Sequence, residues 1–360
     1  MFFLSQVKTY EKTGRKYGLL IEKIGKAAGD NGKYSKNHIK YCDINDYRRR
    51  GMSIQKIKQL FGNLDKCTAW SLQLLNARDV RGEFVYNTHD IIVTTSDAII
   101  KFIRELEHEY TKEKGRLSKY QMVCDYDGSA INNRVYKIEF TNELISESCK
   151  KLINAMQNPD MKGNALDFPA NAYVFKGNIH IDEKQIDIKL FTFISPFKVL
   201  KHTFMWDGDS FKVLPDKYLS LRGYVDVAMI NDVVYLFNMN GEKLFNMERA
   251  YRTICHSKVE DIINSGIISD ESAFRQYATS GHNPRKFVSF DENRLNKIKN
   301  DTHFRNRMAG KFGITQIQEG TFDSSDSENV NRIVKFLCKK GMIDPVNDDP
   351  VEVEGARQWM

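Results

Sequence analysis

The sequence predicts an α+β fold: mixed and antiparallel sheet regions flanked by helices, with a mostly helical C-terminal part. Two observations predict it. Between residues 171 and 238 the chain breaks into short strand-like runs separated by turn residues: AYVFKG, NIHI, QIDIKLFTF, HTFMW, SFKVL, YLSLRG and the hairpin pattern YVDVAMI-ND-VVYLFNM. From 241 onward apolar residues recur at helical spacing. Strands and helices therefore come in blocks, which argues against the alternation of a doubly wound sheet.

In chain order, residues 1–50 are rich in Lys, Gly and Asn with weak periodicity, and are expected to be irregular. In GMSIQKIKQLFGNLDK, Ser53 is placed to cap a helix, and Ile54, Ile57, Leu60, Phe61 and Leu64 form one apolar stripe. TAWSLQLLNA and EFVYNTHDIIVTT read as strands around the turn RDVRGE. SDAIIKFIRELEHEYTKEKG has a polar start and a Gly stop, as a helix should. NRVYKIEF reads as a strand and TNELISESCKKLINAMQNP as a helix. After the strand-rich stretch, EKLFNMERAYRTICHSKVEDIINSG, SDESAFRQYATSG, FDENRLNKIKNDTHFRNRMAGKFG and SENVNRIVKFLCKKG read as helices, and PVEVEGA as a last strand. The expected organisation is a basic segment 1–66 with one amphipathic helix, a small α/β domain 67–165, and a β-rich then helical domain 166–360.

Length and composition allow a sizeable core: 360 residues, 41% of them hydrophobic. No apolar run approaches the roughly 18–20 residues of a membrane span. MFFLSQVKTYEK turns polar after four residues, too early for a signal peptide, so a cytoplasmic location is expected. Six cysteines lie far apart without a C-x-x-C pair, which reads as reduced, buried thiols rather than a zinc module. Charge is uneven. Residues 1–66 carry 15 Lys and Arg against six Asp and Glu, a net +9, whereas the whole chain carries +7. A basic end on a near-neutral body suggests a polyanionic partner such as nucleic acid, or an acidic membrane surface.

Several motifs bear on chemistry. Asp187-Ile-Lys189 has the D/E-x-K spelling of a Mg-dependent nuclease strand, and Asp167 lies 20 residues earlier, where such enzymes often hold another carboxylate. The alternative is an ordinary strand with one wet face, since Asp187 and Lys189 alternate with Ile186, Ile188 and Leu190. MSIQKIKQLFGNLDKCTAW resembles a helix-turn-helix in Ser53, Ile57 and Leu60-Phe61-Gly62, but Lys58 falls where a small residue should pack.

Two basic concentrations are candidate phosphate-contacting surfaces: Arg48, Arg49, Arg50, Lys56, Lys58 and Lys66; and Arg285, Lys286, Arg294, Lys297, Lys299, Arg305, Arg307 and Lys311. Phe287, Phe290 and Phe304 beside the second read as core. GLLIEKIGKA has the wrong spacing for a P-loop. Asp207-Gly-Asp209 is a turn signal, and DYDGS at 125–129 lacks calcium-loop spacing. No cofactor and no metal site is expected, and no Ser/His/Asp set can be assembled from spacing alone.

The C-terminal half, LFTFISPFKVLK, then YLSLRGYVDVAMINDVVYLFNMNGEKLFNME, then VEDIINSGIISDESAFRQYATSGHNPRKFVSF, resembles the KwaB family, the cytoplasmic component of the Kiwa antiphage-defence system. The resemblance rests on an Asp closing a strand (Asp226), a hairpin ending in VVYLFN, Phe245-x-x-Glu248 entering a helix, and PRKFVSF after two helices, over roughly residues 67–360. It implies a homodimeric effector that binds double-stranded DNA and works with KwaA, a membrane protein that recruits it to the inner membrane. It supplies no catalytic residues. A Mg-dependent nuclease using Asp167, Asp187 and Lys189, and a non-catalytic adaptor docking on a membrane partner, remain the alternatives.

Overall fold

The computed structural model describes residues 7–12, 15–20, 41–43, 53–67, 69–91, 96–130, 133–159, 165–181, 184–199, 204–206, 208–213, 217–318, 320–343 and 350–352. The chain forms two compact units, 1–53 and 54–360. In the first unit the expected irregular segment contains a three-stranded antiparallel sheet: β1 (Val7–Lys12), β2 (Arg15–Leu20) and β3 (Tyr41–Asp43), in that order. Arg48, Arg49 and Arg50 lie outside the described residues.

The second unit begins with α1 (Ile54–Phe61), which buries Ile54, Ile57, Leu60 and Phe61 and leaves Lys56 and Lys58 exposed. That is the expected stripe. A 3-10 turn at Leu64–Lys66 follows, with Lys66 exposed, and then β4 (Ser71–Val80) and β5 (Glu83–Ile91). A strand therefore stands where a helix-turn-helix would need its second helix.

Next come α2 (Ser96–Thr111), β6 (Met122–Asp125), β7 (Arg134–Glu139), α3 (Ser146–Gln157), β8 (Ala172–Ile181) and β9 (Lys184–Thr192). Two small antiparallel pairs follow, β10 (Phe197–Val199) with β13 (Lys217–Leu219) and β11 (Phe204–Trp206) with β12 (Phe211–Val213). Gly208, at φ +74°, turns between β11 and β12, so the DGD sequence holds a turn; Asp207 itself lies outside the described residues. The hairpin β14 (Val227–Ile230) and β15 (Val233–Leu236) turns at Asn231, whose φ of +52° is the left-handed conformation Asn tolerates.

One eight-stranded sheet, ordered β5-β4-β8-β9-β14-β15-β7-β6, unites this unit. Its neighbours are antiparallel except the parallel β6–β7 pair. It takes strands from both sides of residue 166, so segments 67–165 and 166–360 share it. Successive residues of a strand face opposite ways. Val174 and Phe191 face a core with α3 and with the helices after β15, α4 (Asn240–Leu244) and α5 (Met247–Ile263). Phe175 faces the other way and stacks on Phe102 of α2, ring centroids 5.0 Å apart, while Phe61 of α1 stacks on Tyr110 at 4.8 Å.

The 17-residue α5 joins two cores. Its Met247 and Tyr251 belong to the sheet core, and its Cys255, Val259 and Ile262 to a helical one. The helical core is completed by α6 (Glu271–Thr279), a 3-10 segment Asn283–Ser289, α7 (Glu292–Asn300), α8 (Thr302–Phe312) and α9 (Ser327–Leu337). Each of these four helices starts on an Asp that accepts a hydrogen bond from its first turn: Asp270 from Ala273 N at 2.9 Å, Asp291 from Arg294 N at 3.2 Å, Asp301 from Phe304 N at 2.8 Å, and Asp326 from Asn329 N at 3.0 Å. A small hairpin, β16 (Gln316–Gln318) and β17 (Thr321–Phe322), sits between α8 and α9, and β18 (Gly341–Ile343) pairs with β19 (Pro350–Glu352).

Candidate functional site

The D-x-K strand is β9. Asp187 and Lys189 share a face and form an ion pair with each other, and Lys189 stands directly opposite Lys176 on β8. Asp167 is exposed at the end of a 3-10 turn, Ala165–Asp167. Its neighbours anchor that turn at the other end of the sheet. The Phe168 ring lies 5.7 Å from that of His89, and the Pro169 carbonyl accepts from Asn76 Nδ2 at 2.6 Å. The register sets Ala172 beside Leu75 and Asp187 beside Asn178, six residues further along β8, which is on the order of 20 Å. The three nuclease candidates are therefore not brought together. Among the described residues no three His, Cys, Asp or Glu side chains gather to hold a metal.

The basic residues of the second concentration divide into two groups. Arg285 is turned inward. It is ion-paired with Glu242, and its Nε and Nη2 donate to Tyr126 Oη at 3.3 and 3.2 Å. Lys286 donates to Asn331 Oδ1 at 3.1 Å. Arg294 donates to the Phe336 carbonyl and lies over the Phe336 ring. Arg305 is only 8% exposed. It donates to the Gly320 carbonyl, and at 3.4 Å to the Lys299 carbonyl in the last turn of α7, where a cation suits the helix dipole.

Lys297 and Arg307 are exposed, and both lie over the Phe304 ring, at 4.3 and 5.6 Å. Lys299 is exposed in the last turn of α7, and Lys311 is half-buried. Among the described residues Lys297, Lys299 and Arg307 make no ion pair. Local acids are engaged elsewhere: Asp301 caps α8, and Glu292 binds Lys258. The helices α7 and α8 thus present three exposed cations that make no ion pair among the described residues.

Two polar clusters escaped the sequence reading. In the first, Asp226 is fully buried, and the strand expected to end at it instead begins after it, as β14. Its carboxylate accepts from Phe193 N at 2.6 Å and from Asn238 Nδ2 at 2.5 Å, stapling the end of β9 to the exit of β15. Burial pushes its carboxyl above the ordinary range, and these two hydrogen bonds pull back. Gly241 completes the knot, because a Cβ there would stand 2.6 Å from Val227 Cγ2. Asp226→Ala should orphan both donors and cost about 2–3 kcal/mol, read as a lower urea midpoint at unchanged m-value. An unchanged midpoint would mean the staple contributes nothing.

The second cluster explains DYDGS. Tyr126 donates to Glu242 Oε1 at 2.7 Å and lies 3.2 Å from Tyr251 Oη; burial pushes both phenols up. Asp127 accepts from Lys340 Nζ at 3.2 Å, and a Cβ on Gly128, itself at φ +79°, would stand 2.3 Å from the Arg285 carbonyl oxygen. This loop clasps the sheet to the helical core. Glu242, Tyr251 and Arg285 border a cavity of about 340 Å³. With its carboxylate matched by a guanidinium and its phenols held neutral, the cluster has the character of a structural junction.

Residues 169–341 match the family of Kiwa protein KwaB-like sequences. This stretch is KwaB-like. No curated protein and no solved structure matches it. The KwaB-like match is narrower than the resemblance traced over 67–360, and it leaves out Asp167, α1 and the basic N-terminal unit. It contains the Asp226 staple, the Glu242–Arg285 pair and the α7–α8 corner. The match supports a KwaB-like Kiwa protein, and that family implies antiphage defence. No helix among the described residues is long and apolar enough to cross a membrane.

Proposed function

We propose that this KwaB-like protein acts in antiphage defence by binding double-stranded DNA, mainly through phosphate contacts. The observation that carries this reading is on α7 and α8, where Lys297, Lys299 and Arg307 are exposed and make no ion pair among the described residues. Lys56, Lys58 and Lys66, exposed on α1 and the turn after it, and Arg48, Arg49 and Arg50 add to the basic character. Arg285 and Arg305 serve the binding surface only by holding it in shape. The homodimer and the KwaA-like membrane partner rest on the family resemblance.

The test is fluorescence anisotropy of labelled duplexes of unrelated sequence, with a parallel gel containing Mg²⁺. Three phosphate contacts alone give a log–log salt slope of about −2.7, a loss of about 40-fold between roughly 50 and 200 mM salt. Intact DNA with that slope supports the reading. Salt-independent binding, or no binding, overturns it. Mg²⁺-dependent fragments that vanish in Asp187→Ala would establish the nuclease in its place.

A further inference from the structure

Independently of the DNA-binding reading, we infer that Arg116, Lys119, Arg222 and Tyr224 form a binding site for a phosphate monoester, the group carried by a free nucleotide or by a 5′ DNA end. The cations converge on one phenol. The Arg116 guanidinium lies over the Tyr224 ring, 5.7 Å from its centroid, and Arg222 reaches the Tyr224 hydroxyl. Lys119 lies over the Tyr120 ring at 4.8 Å, close enough to Arg116 for the two charges to repel. Burial and that repulsion hold its ammonium below the usual lysine range.

Arg116, Lys119 and Arg222 are exposed, and none makes an ion pair among the described residues. The two carboxylates that act on this cluster are engaged elsewhere. Glu109 is paired with Lys112 at 2.5 Å. Asp226, two residues beyond Tyr224, is fully buried and accepts from Phe193 N and Asn238 Nδ2. Like charges held together without a counter-charge store repulsion that a bound anion relieves.

Both segments that carry the cations are fixed by buried groups. The hydroxyl of Tyr173, on β8, accepts from Arg222 N at 2.8 Å and donates to the Arg222 carbonyl at 3.0 Å. Thr192 of β9 donates to the Tyr224 carbonyl at 2.6 Å, and the Tyr110 hydroxyl of α2 holds both the amide and the carbonyl of Val225. The 3-10 turn Arg116–Lys119 buries Leu117, and Ser118 Oγ closes it on the Gly115 carbonyl at 2.7 Å. Cations on a fixed backbone lose less freedom when they bind, so the cluster is prepared for its anion.

The donors match a monoester. Its three terminal oxygens can accept from two guanidinium forks and one ammonium, and three cations suit a charge of about −2 better than the single charge of a phosphodiester. Burial and the Asp226 carboxylate push the Tyr224 phenol up against the pull of the two guanidiniums, so it stays neutral and keeps a proton to donate.

The experiment titrates the full chain by calorimetry with adenosine 5′-monophosphate and with adenosine. In parallel, anisotropy compares one short duplex with and without 5′-phosphates. The monophosphate should bind and adenosine should not. Arg116→Gln/Arg222→Gln should weaken the monophosphate by about 100-fold or more, and Tyr224→Phe, which keeps the ring under Arg116, by about 10-fold. Thermal melts check that both variants are folded; if the double variant is not, Tyr224→Phe decides, and unchanged affinity there overturns the site. A preference for the phosphorylated duplex that the variants lose assigns the site to DNA ends. Monophosphate binding without that preference assigns it to free nucleotide, and either result supports it. Equal affinity for monophosphate and adenosine, together with equal affinity for the two duplexes, overturns the site and leaves DNA binding standing. So does phosphate-dependent binding that the folded double variant retains in full. A wild type that binds the monophosphate but no duplex overturns DNA binding and leaves this site standing.

Discussion

Glu242→Leu is expected to lose about 3–4 kcal/mol of folding stability, because it strips a largely buried guanidinium of the one carboxylate it meets among the described residues. The Glu242 and Arg285 side chains are 14% and 22% exposed, so water supplies little replacement. The same change removes the acceptor of the Tyr126 hydroxyl. The loss should appear as a lower denaturation midpoint. It should be strongest for probes of the helical core, since Arg285 lies in the segment that joins that core to the sheet. The double variant Glu242→Leu/Arg285→Met removes both charges, and should recover more than half of the lost stability. If the single variant is as stable as wild type, the pair is only a surface contact. If the double variant is no better than the single, the damage comes from lost packing and not from an orphaned charge.

Reversing the three corner cations together, Lys297→Glu, Lys299→Glu and Arg307→Glu, is expected to weaken duplex DNA binding by about 100-fold or more and to reduce the salt slope by about 3. All three side chains are exposed, and none makes an ion pair among the described residues, so the stability lost should be limited to the Phe304 contacts and the dipole of α7, and a thermal melt checks that the variant is folded. The loss should be nearly equal for unrelated sequences, because phosphate contacts carry no base information. Wild-type affinity in the triple variant would move the interface away from the α7–α8 corner. The basic α1 and Arg48–Arg50 would then be the surfaces to test next. A loss confined to one sequence would mean that these side chains read bases.

Periodicity and local chemistry were legible wherever a residue's role depends on near neighbours. The stripe Ile54, Ile57, Leu60, Phe61 is buried on α1 because residues three and four apart share a helix face. Asn231 turns a hairpin because its backbone tolerates positive φ. The run FDENRLNKIKNDTHFRNRMAGKFG, read as one helix, is instead two, because Asp301 closes α7 and its side chain accepts from Phe304 N to start α8. The first 50 residues were less legible. β1 and β2 pair in a polar, Lys-rich context whose alternation is weak, and their pairing outweighs propensity.

The candidate site was legible as a composition and not as a surface. Arg305 and Arg307 are two residues apart on one helix, and in sequence they are equivalent. Two residues along a helix turn the side chain by about 200°, so one enters the protein and the other leaves it. Arg285 belongs to a basic run, yet its partner is Glu242, 43 positions earlier, on a helix that the β14–β15 hairpin delivers. Asp187 and Asp167 looked like partners at a separation of 20 residues, and the sheet register put them at opposite ends of β8.

The sequence by itself determined the α+β class, the β14–β15 hairpin, the apolar stripe of α1, the KwaB-like resemblance and the excess of positive charge. Each of these follows from residue type and from neighbours within one or two turns of chain. Only the tertiary structure decided which cations face water and which carboxylates meet a guanidinium. Those outcomes depend on contacts between residues far apart in sequence, where burial, not local propensity, decides whether a charge must find a partner.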